Sequence, residues 1–311
     1  MKIIIIFFLL ILMISKFKDF NNKSSILILA TIVMIVSGFC ASLAAALVRL
    51  ASQDLHPFQI AFFRSVLIIP LLSPLIFKFK IDIIKTERPL LTFYRCISGS
   101  GAMLCFFYGI SLTELSKAQS LAFTIPIFAT LLAILTLKEV VGLRRWGAMF
   151  FGFVGVIIVL RPDLNVSIGP ICVLAACVLW SISLLLAKKL TETDGNISIT
   201  FWQSAGVIPI TFIAAIFVWD GINGKQLFLV SLITIVATIA QFSLNYALKR
   251  GEISFLLPLD YLRLIWAVWL GYIMFSEIPL NNIWIGGSII VASTTYIGIR
   301  ENYLNSNKTK S

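Results

Sequence analysis

The chain has 311 residues, 59% hydrophobic and only 13% charged, with a formal net charge of +11 and a mean hydropathy of +0.99. A soluble domain carries about 45–50% apolar and about 25% charged residues, so a soluble fold is excluded, as are disordered, fibrous and disulfide-stapled classes. The excess positive charge sits in short gaps between apolar runs, the pattern of cytoplasmic loops in a polytopic membrane protein and not of a nucleic-acid binder.

The chain opens with an apolar run over residues 3–14. At about 1.5 Å per residue it covers roughly 18 Å, short of the roughly 30 Å hydrocarbon core. Ser15-Lys16-Phe17-Lys18 follows in place of a small-residue cleavage site. The run reads as an interfacial or dispensable extension. Ten longer runs follow, at roughly 26–48, 58–77, 90–111, 116–137, 143–160, 168–187, 197–219, 226–248, 253–276 and 282–299. Each suits a bilayer-crossing helix, which needs about 20 mainly apolar residues. The expected fold is an all-α polytopic membrane protein of ten transmembrane helices.

Orientation follows from lysine and arginine. If the segment before the first span lies inside, the inner side holds eighteen of these residues. The outer side holds four: Arg49, Lys117, Arg161 and Lys225. Both termini are then cytoplasmic, in the cell (inner) membrane.

The chain repeats itself. Phe62, Ser65, Ile69 and Pro70 recur with the same spacing as Phe201, Ser204, Ile208 and Pro209. Tyr108, Glu139 and Trp146 recur likewise as Tyr246, Glu277 and Trp284. Five spans are thus followed by five more. Five is odd, so the halves enter the membrane in opposite directions, placing Glu139 inside and Glu277 outside. An inverted repeat points to a secondary transporter that alternates access around a midplane site. The expected boundaries are an extension over 1–25, repeats over 26–162 and 163–300, and a polar cytoplasmic tail over 301–311.

These features resemble the EamA-type drug/metabolite transporter superfamily. The residues that carry the resemblance are Leu137-Lys138-Glu139 with Trp146, Gly152 and Gly155, the matching Phe275-Ser276-Glu277, Phe62-Phe63-Arg64, and the stretch from Pro258 to Leu264. Residues 26–300 are covered. The resemblance implies ten helices around a central cavity and transport of small metabolites without ATP hydrolysis. The sequence departs from strict repetition at its prolines: Pro258 stands further ahead of Glu277 than Pro126 does of Glu139. The two halves are therefore not expected to break their helices alike.

Three charges lie deep within spans. Arg64 is roughly 9 Å into the second span, and Asp260 and Arg263 are roughly 10 and 15 Å into the ninth. Each costs at least about 2.5–3.5 kcal/mol at the bilayer centre, so each should face a cavity or a partner. Asp260 and Arg263 are three apart and share a helix face. They form either a self-neutralising ion pair or a gate at which substrate or a proton competes. Arg64 snorkels outward, binds backbone carbonyls or meets a substrate carboxylate.

Tyr108, Trp180, Tyr261 and Trp266 offer rings on which a flat or cationic ligand could stack, or else they pack. Gln241, like Gln119, is a span amide suited to interhelical hydrogen bonding. The candidate substrate-binding or gating set is thus Arg64, Asp260, Arg263, Tyr261, Trp266, Tyr108, Trp180 and Gln241.

Other chemistries find little support. Ser98-Gly99-Ser100-Gly101 does not match a serine nucleophile elbow. The single histidine, His56, lies at the opposite end of its span, so no catalytic residue and no metal site is expected. The five cysteines sit in apolar runs and read as core. Gly147, Gly152, Gly155, Gly286 and Gly287 read as helix-packing positions, and Glu139 and Glu277 as anchors of helix ends. No Walker A loop is present.

The leading expectation is a permease for a small amphiphilic metabolite: an amino acid, S-adenosylmethionine or a riboflavin-like cofactor. Alternatives are a nucleotide-sugar or phosphate-ester antiporter, and an intramembrane enzyme. The expected partners are a small-molecule substrate, the lipid bilayer and a coupling proton or sodium ion, with a homodimer compatible with the sequence. No cofactor and no nucleic acid is expected.

Overall fold

The structure is a computed structural model that describes residues 23–78, 86–137, 143–160, 167–190, 192–194, 196–250, 260 and 262–308. The apolar run over 3–14, Glu139, Arg161, Pro258 and Tyr261 lie outside these residues. The described residues are helical throughout, with no strand among them. The helices are α1 (Lys23–Ala51), α2 (Pro57–Lys78), α3 (Pro89–Ser111), α4 (Leu115–Ala122), α5 (Ile125–Leu137), α6 (Leu143–Leu160), α7 (Ile168–Leu190), α8 (Asn196–Ala205), α9 (Val207–Ile216), α10 (Gly224–Arg250), α11 (Leu262–Phe275) and α12 (Asn281–Lys308).

Among the described residues these twelve segments make ten spans, because two spans are each built from two helices. The fourth span is α4 plus α5, parted at Phe123-Thr124. Pro126 has no N–H, so it cannot bond the carbonyl of Ala122. Backbone groups freed in a bilayer need other partners. The sixth span (α7) supplies some: Ser181 Oγ donates to the Ile125 carbonyl at 2.9 Å, and Cys177 Sγ approaches the Leu121 carbonyl at 3.6 Å.

The seventh span is α8 plus α9, parted at Gly206 with Pro209 just beyond. A Cβ at Gly206 would collide with Cys96 Sγ of α3, so only glycine permits this approach. Its equivalent in the second span is Leu67, and α2 runs unbroken through Pro70. The break in the seventh span was not among the sequence expectations; the expected contrast between the fourth and ninth spans rests on Pro258, which lies outside the described residues.

The last helix runs on to Lys308, beyond the end at 299 expected from hydropathy. A helix can leave the bilayer without ending, and residues 300–308 hold no Gly or Pro to stop it.

Five helical stretches are long and apolar enough to cross a membrane by length and composition, and four shorter apolar helices accompany them. Large apolar side chains face outward from them: Leu135 is 68% exposed, Phe150 66% and Phe217 83%. In water that would be costly; against lipid tails it is not.

The helix pairing has the symmetry of an inverted repeat. Among the described residues the three most extensive packings are α1 with α10, α3 with α7, and α6 with α12. In spans these are first with eighth, third with sixth, and fifth with tenth. Exchanging the halves maps the first two pairs onto each other and the third onto itself. The next pair, α1 with α11, likewise maps onto α7 with α4 and α5.

The crossing of α6 and α12 lies on the symmetry axis. A Cβ at Gly155 would sit 2.8 Å from the Gly286 carbonyl, and one at Gly286 would sit 2.6 Å from the Gly155 carbonyl. In the register that matches Trp146 to Trp284, these positions correspond to Ser293 and Ala148, and Ser293 Oγ donates to the Ala148 carbonyl. Glycine lets two backbones meet where hydrophobicity gives helices no reason to associate. Gly152 is equally tight, since a Cβ there would run into the Ile127 side chain. Gly147, in contrast, has nothing within 4 Å, so its expected packing role is not observed.

Arg88, Arg95 and Lys189 lie together at one end of the bundle, here termed the basic end. Asp194, after α7, is the hub there. It accepts from Thr86 Oγ1, from the Glu87 N–H at 3.0 Å and from Thr193 Oγ1 at 3.1 Å. Arg88 donates to Glu192 at 3.3 Å beside it. Burial alone would raise the Asp194 pKa, but these hydrogen bonds and Arg88 bring it below the ordinary carboxylate value. A carboxyl lowered on folding stabilises the fold above its unfolded pKa, and the contribution vanishes as pH falls through the folded one. Asp194→Asn should therefore lower the melting temperature at pH 7. The gap to wild type should close below about pH 4, in melting curves recorded across pH.

Candidate functional site

The deep charges can now be placed. Arg64 projects from α2 into the bundle, so it does not snorkel outward. Its Nη1 is 3.0 Å from Met103 Sδ, and its guanidinium lies 5.6 Å from the Phe107 ring centroid. Both neighbours belong to α3, and both are buried. Sulfur and an aromatic face are weak partners for a cation. Among the described residues no carboxylate pairs with Arg64.

Asp260 and Arg263 form the ion pair that their spacing allows, at 3.7 Å. The bond is long and leaves guanidinium capacity over. Arg263 Nη2 donates to Gln119 Oε1 of α4 at 3.4 Å, and the guanidinium lies 5.5 Å from the Phe123 centroid. Arg263 Nε is buried without a hydrogen-bond partner among the described residues, and so is Trp266 Nε1, one turn further on. A buried unsatisfied donor costs about 1–3 kcal/mol, so two in one turn mark a place where a ligand would be welcome.

Close packing fixes this turn. Gly38 of α1 faces this turn, where a Cβ would lie in ordinary contact with Arg263 Cγ at 3.5 Å. Ser42 Oγ donates to the Arg263 carbonyl at 2.9 Å. Trp266 meets Phe39 edge-on at 5.4 Å. The first, fourth and ninth spans thus converge on Arg263.

Other expected residues lie elsewhere. Tyr108, near the end of α3, stacks on His56 at 6.2 Å and leans on Phe58 at 5.9 Å. That cluster is at the end opposite the basic one. Burial pushes the His56 pKa below its usual value, and its Nδ1 accepts the Phe58 N–H at 3.2 Å, as a neutral ring can. Trp180 packs edge-on against Phe106 at 5.2 Å, joining α7 to α3. Gln241 is exposed on α10. The structure therefore unites Asp260, Arg263 and Trp266 with Gln119, and sets Arg64 apart with Met103 and Phe107.

Ser100 is fully buried and donates to the Cys96 carbonyl of its own helix at 2.6 Å. A nucleophile needs a base in reach, and this hydroxyl is spent on backbone.

Sequence reading missed one cluster. At the end opposite the basic one, Arg49 of α1 pairs with Glu277 in the α11–α12 turn. Glu277 Oε2 also accepts the Leu115 N–H that opens α4, at 3.0 Å. Charge position alone put both residues on the outer side, but nothing in sequence spacing pairs residues 228 apart.

Ten apolar spans in an inverted repeat, with charges held inside the bundle, define a multi-pass membrane protein of the secondary-transporter class. The sequence model of the EamA-like transporter family matches residues 28–161 and again residues 167–299. The chain belongs to that family. Its relatives include the S-adenosylmethionine uptake transporter of Rickettsia felis, 26% identical over 83% of this chain and 88% of that protein. The riboflavin transporter of Vibrio cholerae is 31% identical over 57% of this chain and 60% of its own length. A solved crystal structure aligns over 91% of this chain and 99% of its own, with a TM-score of 0.59 at 15% identity, a likeness of fold. The chain is a multi-pass membrane transporter of that family.

Proposed function

We propose that this permease takes up an amphiphilic metabolite bearing both a carboxylate and a cationic or aromatic part, of the S-adenosylmethionine kind, by alternating access. The observation that carries this reading is the turn of α11 with Asp260, Arg263 and Trp266. An ion pair stretched to 3.7 Å beside two unsatisfied donors suits a zwitterion. A carboxylate would take Arg263 and the indole N–H, and a cationic centre would take Asp260. Arg64 gives a second anchor for negative charge, 5.6 Å from the Phe107 centroid. The relative matched over most of its length is named for S-adenosylmethionine uptake, which agrees with this chemistry.

The basic end faces the cytoplasm in this reading, and the protein resides in the cell's inner membrane. Asp260 is the group at which a coupling proton would act, since it is the carboxylate described within the deep site. A phosphate-ester antiporter would want more than two deep cations, and an enzyme would want a free nucleophile. Neither is favoured by the groups described above.

Purified protein in proteoliposomes should accumulate labelled S-adenosylmethionine. Unlabelled S-adenosylmethionine should compete at least tenfold more strongly than riboflavin. Asp260→Asn should reduce uptake at least tenfold. Preference for riboflavin would replace the proposed substrate class, and uptake of neither compound would end it.

A further inference from the structure

The Arg49–Glu277 cluster is built in more detail than an anchor needs. Arg49 is 20% exposed and Glu277 10%, so water reaches this pair poorly. The Arg49 guanidinium also lies 4.5 Å from the Phe275 centroid. Ser276 takes a φ of 54°, in the left-handed region that a residue other than glycine seldom adopts. That turn lets the Glu277 N–H reach the Gly271 carbonyl at 3.1 Å and folds the carboxylate back over α11. Gly271 makes room for it, since a Cβ there would lie 2.8 Å from Oε2. Glu114, beside Leu115, acts electrostatically on Arg49 as well.

The location matters as much as the geometry. The paired spans, first with eighth and third with sixth, run together along their lengths. At the same end Gln226 Nε2 donates to the Asp54 carbonyl at 2.9 Å, which ties the first span to the eighth within such a pair. Arg49–Glu277 instead crosses between units. It fastens the end of the first span, and the start of the broken fourth span, to the turn joining the ninth and tenth. These are the spans that converge on Arg263 below. Among the described residues it is the ion pair at this end of the bundle.

We infer that Arg49 and Glu277, closing on the Leu115 N–H, form the gate that shuts the deep site off from the end opposite the basic one. With the pair made, three segments from both halves are drawn together over Met274, which packs against both hydrophobic cores one turn below. With it broken, Arg49 swings to Glu114 and the α11–α12 turn is released. A gate whose two arginine positions each have a carboxylate gives two discrete arrangements, as bistable elements require.

The test uses the full chain in lipid nanodiscs, which expose both faces. The five native cysteines are replaced by serine or alanine, and Met274→Cys serves as the reporter for a hydrophilic maleimide. Glu277→Gln and Arg49→Gln should each speed labelling at least tenfold, with melting temperatures within a few degrees of the reporter background. Glu277→Asp and Arg49→Lys, which keep the charges, should label near the background rate. Unchanged labelling in the two glutamine variants would overturn the gate. So would faster labelling that tracks a fall in melting temperature across all four variants, since that would make the pair a structural anchor only.

Discussion

Arg64→Gln should cut uptake in proteoliposomes a hundredfold or more while raising the melting temperature. A buried charge without a carboxylate partner costs the fold at least about 2.5–3.5 kcal/mol. Met103 and the Phe107 face return only part of that. Glutamine is an uncharged side chain of similar length, and Gln203 stands at the matching position of the other half. Removing the charge should therefore relieve the fold. A hundredfold loss of uptake corresponds to about 2.7 kcal/mol of lost binding in transit. Uptake and thermal melting measured on the same preparation separate the two effects. A lower melting temperature with a proportionate loss of uptake would make Arg64 a structural residue.

The second large effect concerns the α6–α12 crossing. Gly155→Ala adds one carbon that must lie 2.8 Å from a backbone carbonyl across the interface, and Gly286→Ala is tighter still at 2.6 Å. Neither contact involves a flexible side chain that could yield, so the helices must separate. Each variant should cost about 3 kcal/mol or more, a fall in melting temperature of about 5 °C or more for a chain of this size. Gly147→Ala, on the open side of the same helix, should leave the melting temperature unchanged or raise it slightly, because alanine is the better helix former. Scanning fluorimetry on the three proteins decides it: equal melting temperatures would mean that the crossing carries no weight.

Much of this was legible beforehand, because the bilayer imposes simple rules. Apolar runs of about 20 residues mark spans, and lysine and arginine mark one side. The internal match of Phe62 with Phe201 and Tyr108 with Tyr246 made the halves visible, and the pairings of α1 with α10 and α3 with α7 follow its symmetry. The Asp260–Arg263 pair was legible because a spacing of three fixes a helix face.

What escaped depends on helix ends, helix rotation and contacts between halves. Tyr108 fell in a span and was grouped with the deep residues, yet it packs on His56 because α3 ends less than a turn later, at Ser111. Gln241, read as a span amide suited to interhelical hydrogen bonding, lies exposed on α10. Arg49 read as a loop charge, because its partner comes from the other half. The break at Gly206 needed Cys96 to explain it, and Cys96 also belongs to the other half.

The helix pairing bears on what a repeat means in this chain. Each of the three largest interfaces joins one half to the other, and both main hydrophobic clusters draw residues from both. Severed from its twin, either half would present its best packing surfaces to lipid with nothing to fill them. The two sequence repeats are therefore one cooperative folding unit, an obligate heterodimer of itself on a single polypeptide. Cut between α6 and α7, neither fragment should persist when made alone, and the pair should assemble when made together.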